Sequence, residues 1–299
     1  MSVARYLRLL FCVNLLNKYF GWGHPVSNIS ILSTFMALRY VRVRTTPGQI
    51  YYGLLTLDRT VHVLDAPPWL EGEPNGLELF PADYQLLAPC APSKIVAVGK
   101  NYRAHAAEMG TPVPKEPLLF LKPPTTITAA DKEIYYPPQS QRVDYEGELA
   151  LVISDRACNC TPAQARSKIW GYTIANDVTA RDLQKIDGQW TRAKGFDSFC
   201  PLGPWVVREI SPEARVKTFL NDDPEPVQSA PISDMVFSPE FLVSYISQVM
   251  TLLPGDIVLT GTPEGVGEIK PGDHVRVEIE GIGHLQNSVA IRQVTTSLA

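Results

Sequence analysis

The chain reads as a β-rich α+β protein, and three observations lead there. Its 26 prolines and 20 glycines in 299 residues cut it into short segments, which favours turns and strands over long helices. Several segments alternate apolar and polar residues, most clearly the tail H-V-R-V-E-I-E-G-I-G-H-L-Q-N-S-V at 274–289, as half-buried strands do. Only a few segments carry helix-start signals. With 45% apolar residues, a substantial core can be buried in one large domain, or in a main domain with a smaller one.

The first 35 residues begin M-S-V-A-R-Y-L-R-L-L-F-C-V-N-L-L, with positive charge and an apolar run too short to span a bilayer. Asn14, Asn17 and Lys18 interrupt that run, and Met36 then opens M-A-L-R-Y-V-R-V-R-T. Residues 1–35 are therefore expected to be an extension outside the fold. Residues 36–90 carry short strands, L-R-Y-V-R-V-R, I-Y-Y-G-L-L-T-L and T-V-H-V-L, and form a small β-rich N-terminal region. The stretch A-P-C-A-P-S at 88–93 is the expected linker.

A main domain spans 91–294. It opens with the strand K-I-V-A-V-G, and the helical segment N-Y-R-A-H-A-A-E-M-G follows, stopped by Gly110. P-L-L-F-L-K-P-P and the strand V-D-Y-E-G-E-L-A-L-V-I come next. Thr161 as N-cap, Pro162 at the first helical position and Gln164 closing a capping box start a short helix. The strand W-G-Y-T-I-A-N-D leads into the helix V-T-A-R-D-L-Q-K, then into the loop-rich K-G-F-D-S-F-C-P-L-G-P. A strand at V-K-T-F-L, a helix at P-E-F-L-V-S-Y-I-S-Q-V-M, the strand D-I-V-L-T-G-T-P and the alternating tail complete the chain.

Composition narrows the function. Charged residues are 19% and the net charge is −4, so the dense basic footprint of a nucleic-acid surface is missing. No segment is a membrane span. The five cysteines, Cys12, Cys90, Cys158, Cys160 and Cys200, are odd in number and scattered, and no second Cys or His pair completes a zinc site with Cys158 and Cys160. A reducing, cytoplasmic setting is expected.

Chemistry concentrates in a few places. Glu146 and Glu148 lie two apart in a strand pattern, so both carboxylates project to one face with Gly147 between them. Like charges that close call for a cation, and carboxylate oxygens suit Mg2+, Mn2+ or Ca2+. E-x-E alone fits a solvent-facing strand better; Asp177, where a strand gives way to a helix, adds a third candidate ligand. His105 and Glu108, three apart on a helix, form the imidazole–carboxylate pairing that a general base requires. Arg181 and Gln184 share a helix face one turn beyond Asp177 and are placed to hold a substrate oxygen, although an amphipathic helix has the same spacing. Lys194, Lys122 and the T-G-T-P turn ending in Thr262 and Pro263 are equally compatible with a substrate site and with ordinary loops.

The order of these blocks resembles the fumarylacetoacetate hydrolase family. The matching blocks are V-G-K-N-Y-R-A-H-A-A-E, F-L-K-P, V-D-Y-E-G-E-L-A, N-D-V-T-A-R-D-L-Q, K-G-F-D-S-F-C-P-L-G-P, L-T-G-T-P-E-G-V-G and I-K-P-G-D-H-V-R-V-E-I-E-G-I-G, over roughly 94–290. The resemblance is to short microbial and mitochondrial members, since the long SH3-like N-terminal domain of larger eukaryotic members is lacking. It implies a β-roll catalytic domain, usually in a homodimer, with Glu146, Glu148 and Asp177 as ligands of Mg2+ or Mn2+. His105 and Glu108 would then be the water-activating dyad on a lid, Lys194 a catalytic cation, and Arg181, Gln184 and Thr262 substrate contacts.

The activity implied is metal-dependent hydrolysis of a C–C bond in a small anionic 2-oxo or 1,3-dioxo acid, of acylpyruvate or fumarylpyruvate type, through an enolate. Oxaloacetate decarboxylation and hydroxymuconate-type isomerisation or tautomerisation use the same site. A non-catalytic binding protein is the alternative from another class, and it gives no role to the acidic trio or the His–Glu pair.

Overall fold

The structure is a computed structural model that describes residues 38–292; the expectation for residues 1–35 and the last two residues of the expected main domain lie outside them. In the N-terminal region the alternating segments form β1 (Arg39–Thr45), β2 (Ile50–Leu55), β3 (Val61–Leu64), β4 (Pro74–Leu79) and β5 (Tyr84–Leu87). The next part runs β6 (Ile95–Gly99), helix α1 (Arg103–Glu108), β7 (Leu118–Lys122), β8 (Ile127–Thr128), β9 (Glu133–Tyr136), β10 (Val143–Tyr145) and β11 (Gly147–Ile153). Then come α2 (Pro162–Arg166), β12 (Ile169–Asn176), β13 (Thr179–Ala180), α3 (Arg181–Asp187), α4 (Thr191–Lys194) and β14 (Cys200–Val207). The chain finishes with β15 (Arg215–Leu220), β16 (Gln228–Pro231), α5 (Pro239–Val249), β17 (Ile257–Leu259), β18 (Gly267–Ile269), β19 (His274–Ile279) and β20 (Gly283–Ile291). The β-rich architecture expected from the sequence is present.

The strands form three sheets. The largest has the order β4-β3-β2-β1-β14-β12-β11-β17-β6-β7, with β5 and β8 attached at β1 and β14. A five-stranded sheet has the order β16-β15-β19-β20-β9, and a small one the order β13-β10-β18. β11 is the centre of the packing, buried along its whole length. Its alternation sends Leu149, Leu151 and Ile153 into a cluster with Val216, Val275, Val277 and Leu285 of the five-stranded sheet. Ala150 and Val152 point the other way, among Ile95, Ala97, Ile257 and Leu259. Glu148 shares the parity of Ala150 and Val152.

Local signals hold where they are strong. The Thr161–Gln164 capping box forms at α2, and Ser238 caps α5, accepting from the amide of Phe241 ahead of the buried Leu242, Val243 and Ile246. The N-terminal strands join the large sheet directly, Tyr40 of β1 opposite Val206 of β14. In the expected linker, Ala88 and Cys90 are buried against Trp69 and Trp170, and the described residues fall within one compact unit.

Three expectations need correction. The acidic strand is not continuous: β10 pairs with β13 and β18 while β11 pairs with β12 and β17, so Glu146 sits at the step between two strands. The helix expected from Val178 starts at Arg181, because Thr179 and Ala180 pair with Asp144 and Val143. The loop-rich C-P-L-G-P run is β14, inside the large sheet. Pro201 and Pro204 stay out of its Cα pairs with β12, whose register shifts between Tyr172 and Ile174, so the missing amides cost little there.

At Gly147 the large and five-stranded sheets approach closely. A Cβ there would lie 2.3 Å from Thr218 Oγ1 of β15 and 3.0 Å from Val277 Cγ1 of β19. Gly147→Ala is expected to lower stability by about 1–3 kcal/mol through overpacking. Urea unfolding checks this, and an unchanged midpoint would refute so tight an approach.

Candidate active site

The carboxylates of Glu146, Glu148 and Asp177 converge, with one oxygen of each within 4.8 Å of the others, all three buried. Three local features produce this. Glu148 is carried by β11 opposite Ala175 of β12. Glu146 sits in the step before β11, its amide donating to Asn176 Oδ1 at 2.9 Å and its carbonyl accepting from the amide of Asp177 at 2.8 Å. Asp177 directly follows β12, so that last bond ties two ligand candidates together.

Cations balance two of the three. Lys194 Nζ donates to Glu146 Oε2 at 2.8 Å and to Asp177 Oδ2 at 2.5 Å. Arg181 donates to Glu146 Oε1 at 2.5 Å, to Asp144 Oδ2 at 2.9 Å and to Gln184 Oε1 at 2.7 Å. Lys122 Nζ lies 2.7 Å from Asp177 Oδ1, but not in hydrogen-bond geometry, and that oxygen has no hydrogen-bond partner. Burial works against ionising Glu146, yet Lys194 and Arg181 outweigh it and hold its carboxyl well below the usual range. Burial works against Lys194 as well, and Asp177 and Glu146 keep its ammonium above its ordinary value. Glu148 is different. It accepts from the amide of Gly261 at 2.7 Å, and burial together with the charges of Asp177 and Glu146 pushes its carboxyl far up.

A hard divalent cation fits this donor set: three convergent oxygens, one of them orphaned, and one carboxylate lacking a cationic partner. Glu146, Glu148 and Asp177 would hold it.

The cluster opens into a cavity of about 150 Å³ that His105, Arg181, Gln184, Lys194 and Thr262 also line. His105 is 5% exposed. Its Nδ1 lies 3.2 Å from Glu108 Oε2, and the Glu108 carboxylate accepts from the amide of Gly265 at 3.1 and 3.2 Å. Gly265 holds φ +90° and has no room for a Cβ, which would lie 1.9 Å from the carbonyl oxygen of Val227. Thr262 Oγ1 donates to the carbonyl of Gly147 and accepts from Gln228 Nε2. Lys194 ends the short helix α4 and is buried, where the sequence suggested a loop. Nine of the residues singled out from the sequence therefore meet, eight lining the cavity and Glu108 standing behind His105, while Lys122 reaches Asp177 from β7.

Others were not foreseen. Gln228 is buried and links Gly147, Thr218, Thr262 and Pro263, bracing the step between Glu146 and Glu148 and the Thr262 turn at once. Asp144 anchors Arg181. Phe120 and Trp190 pack edge to face, 5.1 Å between ring centres, and together with Val98, Gly99, Lys100 and Met109 complete the wall. A lone glutamine or tryptophan carries no sequence signal for these roles, which arise from contacts far apart in the chain.

The chain belongs to the family described as fumarylacetoacetate (FAA) hydrolase C-terminal, whose profile matches residues 94–290, preceded by a match at 38–89 to the one described as Rv2993c-like, N-terminal. Among curated proteins it is 52% identical over 213 residues to protein Rv2993c of Mycobacterium tuberculosis, covering 70% of this chain and 79% of that one. It is 42% identical over 220 residues to the oxaloacetate tautomerase FAHD2B, mitochondrial, of Homo sapiens, covering 70% of each. Among solved structures, a 5-carboxymethyl-2-hydroxymuconate delta-isomerase from Mycobacterium smegmatis superposes with a TM-score of 0.78 at 42% identity, over 85% of this chain and 100% of that one. A fumarylpyruvate hydrolase from Pseudomonas aeruginosa, in complex with Mn2+ and pyruvate, gives 0.64 at 34% identity, over 70% and 92%. Among the described residues, no helix is long and apolar enough to cross a membrane.

Protons would compete with a cation bound at Glu148. Because its carboxyl is held above the ordinary value, lowering the pH protonates it and should weaken Mg2+ binding. Glu148→Gln should lose about tenfold or more in affinity and flatten the pH dependence. Calorimetric titration across pH checks both, and wild-type affinity in the variant would rule the assignment out.

Proposed function

We propose that this chain moves protons on the enol or enolate of a small anionic 2-oxo acid, interconverting its keto and enol forms. The observation that carries this reading is the buried His105, paired with Glu108, on the wall of the cavity into which the three-carboxylate cluster opens. Relatives named as an oxaloacetate tautomerase and a hydroxymuconate isomerase, each 42% identical, support it.

A divalent cation, Mg2+ or Mn2+, bound at the cluster supplies Lewis acidity toward the adjacent oxygens of a 2-oxo acid. The chain's own groups do the rest. Glu108, fixed by the amide of Gly265, holds His105 through Nδ1 and leaves the other ring nitrogen to take and return a proton. Lys194 keeps its positive charge beside Glu146 and Asp177 and offsets negative charge developing on the substrate. Arg181 and Gln184, locked together, and Thr262, braced by Gln228, give the cavity a fixed polar wall. Phe120 and Trp190 exclude water from one side.

Hydrolysis of an acylpyruvate or fumarylpyruvate C–C bond is the second reading, favoured by the hydrolase relative with Mn2+ and pyruvate. There His105 would deprotonate a water instead of the substrate.

Purified protein with Mg2+ should catalyse the keto–enol interconversion of oxaloacetate, followed by ultraviolet absorbance. Acetylpyruvate hydrolysis that outruns it would replace the first reading with the second, and inactivity on both would sink the two together. His105→Ala should slow proton transfer or hydrolysis by about 10²–10⁴-fold. Decarboxylation that depends on the cation alone should survive that change. Equal losses of all three activities would mean that His105 positions the substrate instead.

A further inference from the structure

Three Lys or Arg side chains line the cavity: Lys100, Arg181 and Lys194. Arg181 is engaged by Asp144, Glu146 and Gln184, and Lys194 by Glu146 and Asp177. Lys100 is half-buried and, among the described residues, its ammonium group has no ion pair or hydrogen bond. It is the cavity's uncommitted cation.

Its backbone sharpens the point. Lys100 sits at φ +59°, a left-handed conformation sparsely populated by residues with a Cβ and ordinarily met by Gly or Asn. The neighbouring Asn101 fixes the chain there: its side chain donates to the carbonyls of Phe237 and Thr260 at 3.0 and 2.7 Å and accepts from the amide of Phe237 at 2.8 Å. Such a turn gains nothing from a long cationic side chain, and the Lys100 ammonium is free to meet a charged ligand. Val98, Met109, Phe120 and Trp190 of the wall are apolar or aromatic, and the polar His105, Gln184 and Thr262 are uncharged or already engaged by Glu108, by Arg181, and by Gln228 and Gly147. The cavity is about 150 Å³, so the far end of a small substrate held at the cluster stays close to the wall.

We propose that Lys100 recognises a second carboxylate at the far end of the substrate and thereby selects dicarboxylic over monocarboxylic 2-oxo acids. This rests on the reading that the three-carboxylate site takes the 2-oxo acid head.

The test compares Lys100→Met, which removes the charge at similar size, with Lys100→Arg, which keeps it. With the Mg2+-loaded enzyme, the readout is the ratio of kcat/KM for oxaloacetate to that for acetylpyruvate. Binding of 2-oxoglutarate and of pyruvate, which share a head and differ in the distal acid, is measured alongside by calorimetry. Lys100→Met should lower both preferences by about ten- to a hundredfold, mainly through KM and Kd, while Lys100→Arg retains most of each. Melting curves matching wild type confirm that the variants fold. Unchanged preferences in Lys100→Met, or equal losses for both members of each pair, would overturn the assignment. If the wild-type protein turns over neither acid, the reaction proposed above fails, and the two binding constants still decide the role of Lys100.

Discussion

Three carboxylates buried within 4.8 Å of one another set the terms for everything around them. At an effective dielectric of about 20, each ionised pair at that distance repels by roughly 3–4 kcal/mol. Three pairs together approach the whole net stability of a typical domain. The fold can therefore keep the cluster only by surrounding it with positive charge. Lys122, Lys194 and Arg181 do so from β7, α4 and α3, and Asp144 in turn holds Arg181. Glu148 is left with one amide donor, and that asymmetry keeps the cluster from closing as an ion-pair network and fits it to a cation.

The sheets supply the rigidity. β11 is buried on both faces and paired on both edges, so Glu148 has little freedom to retreat from its neighbours. At Gly147 the five-stranded sheet approaches so closely that only a residue without a Cβ fits. Gln228, at the edge of that sheet, bonds across to Gly147 and Thr262. The packing of two sheets and the spacing of the ligands are therefore one constraint. The same geometry links the His105 helix to the body of the protein, since Glu108 bonds the amide of Gly265 and Tyr145 donates to the carbonyl of that residue at 2.9 Å.

Much of this was legible in the residues. The E-x-E pattern, the following Asp177 and the H-x-x-E spacing on α1 named the chemical groups, because strand and helix periodicities are local and put those side chains on shared faces. The capping box and the alternating tail likewise located α2, β19 and β20. Misreadings fell where long-range pairing overrides local preference. β14 contains two prolines and reads as a loop, yet neighbours on both sides hold it in the sheet. The break at Glu146 comes from β10 and β11 pairing with different partners, which no local pattern encodes.

By itself, then, the sequence determined the acidic residues of the cluster, the imidazole–carboxylate pair and the β-rich class, all of which depend on residue chemistry and on contacts within a few positions. Only the tertiary structure decided which charges neutralise which. Lys122 and Lys194 lie 55 and 17 positions from Asp177, and their ambiguity as loop or site lysines ends only when the sheets bring them to one buried carboxylate. It also decided that Lys100, among the described residues, stays unpaired on the cavity wall and that Gln228 braces the step between Glu146 and Glu148. Electrostatic partnership depends on distance through space in a low-dielectric interior, and chain separation carries almost no information about that distance.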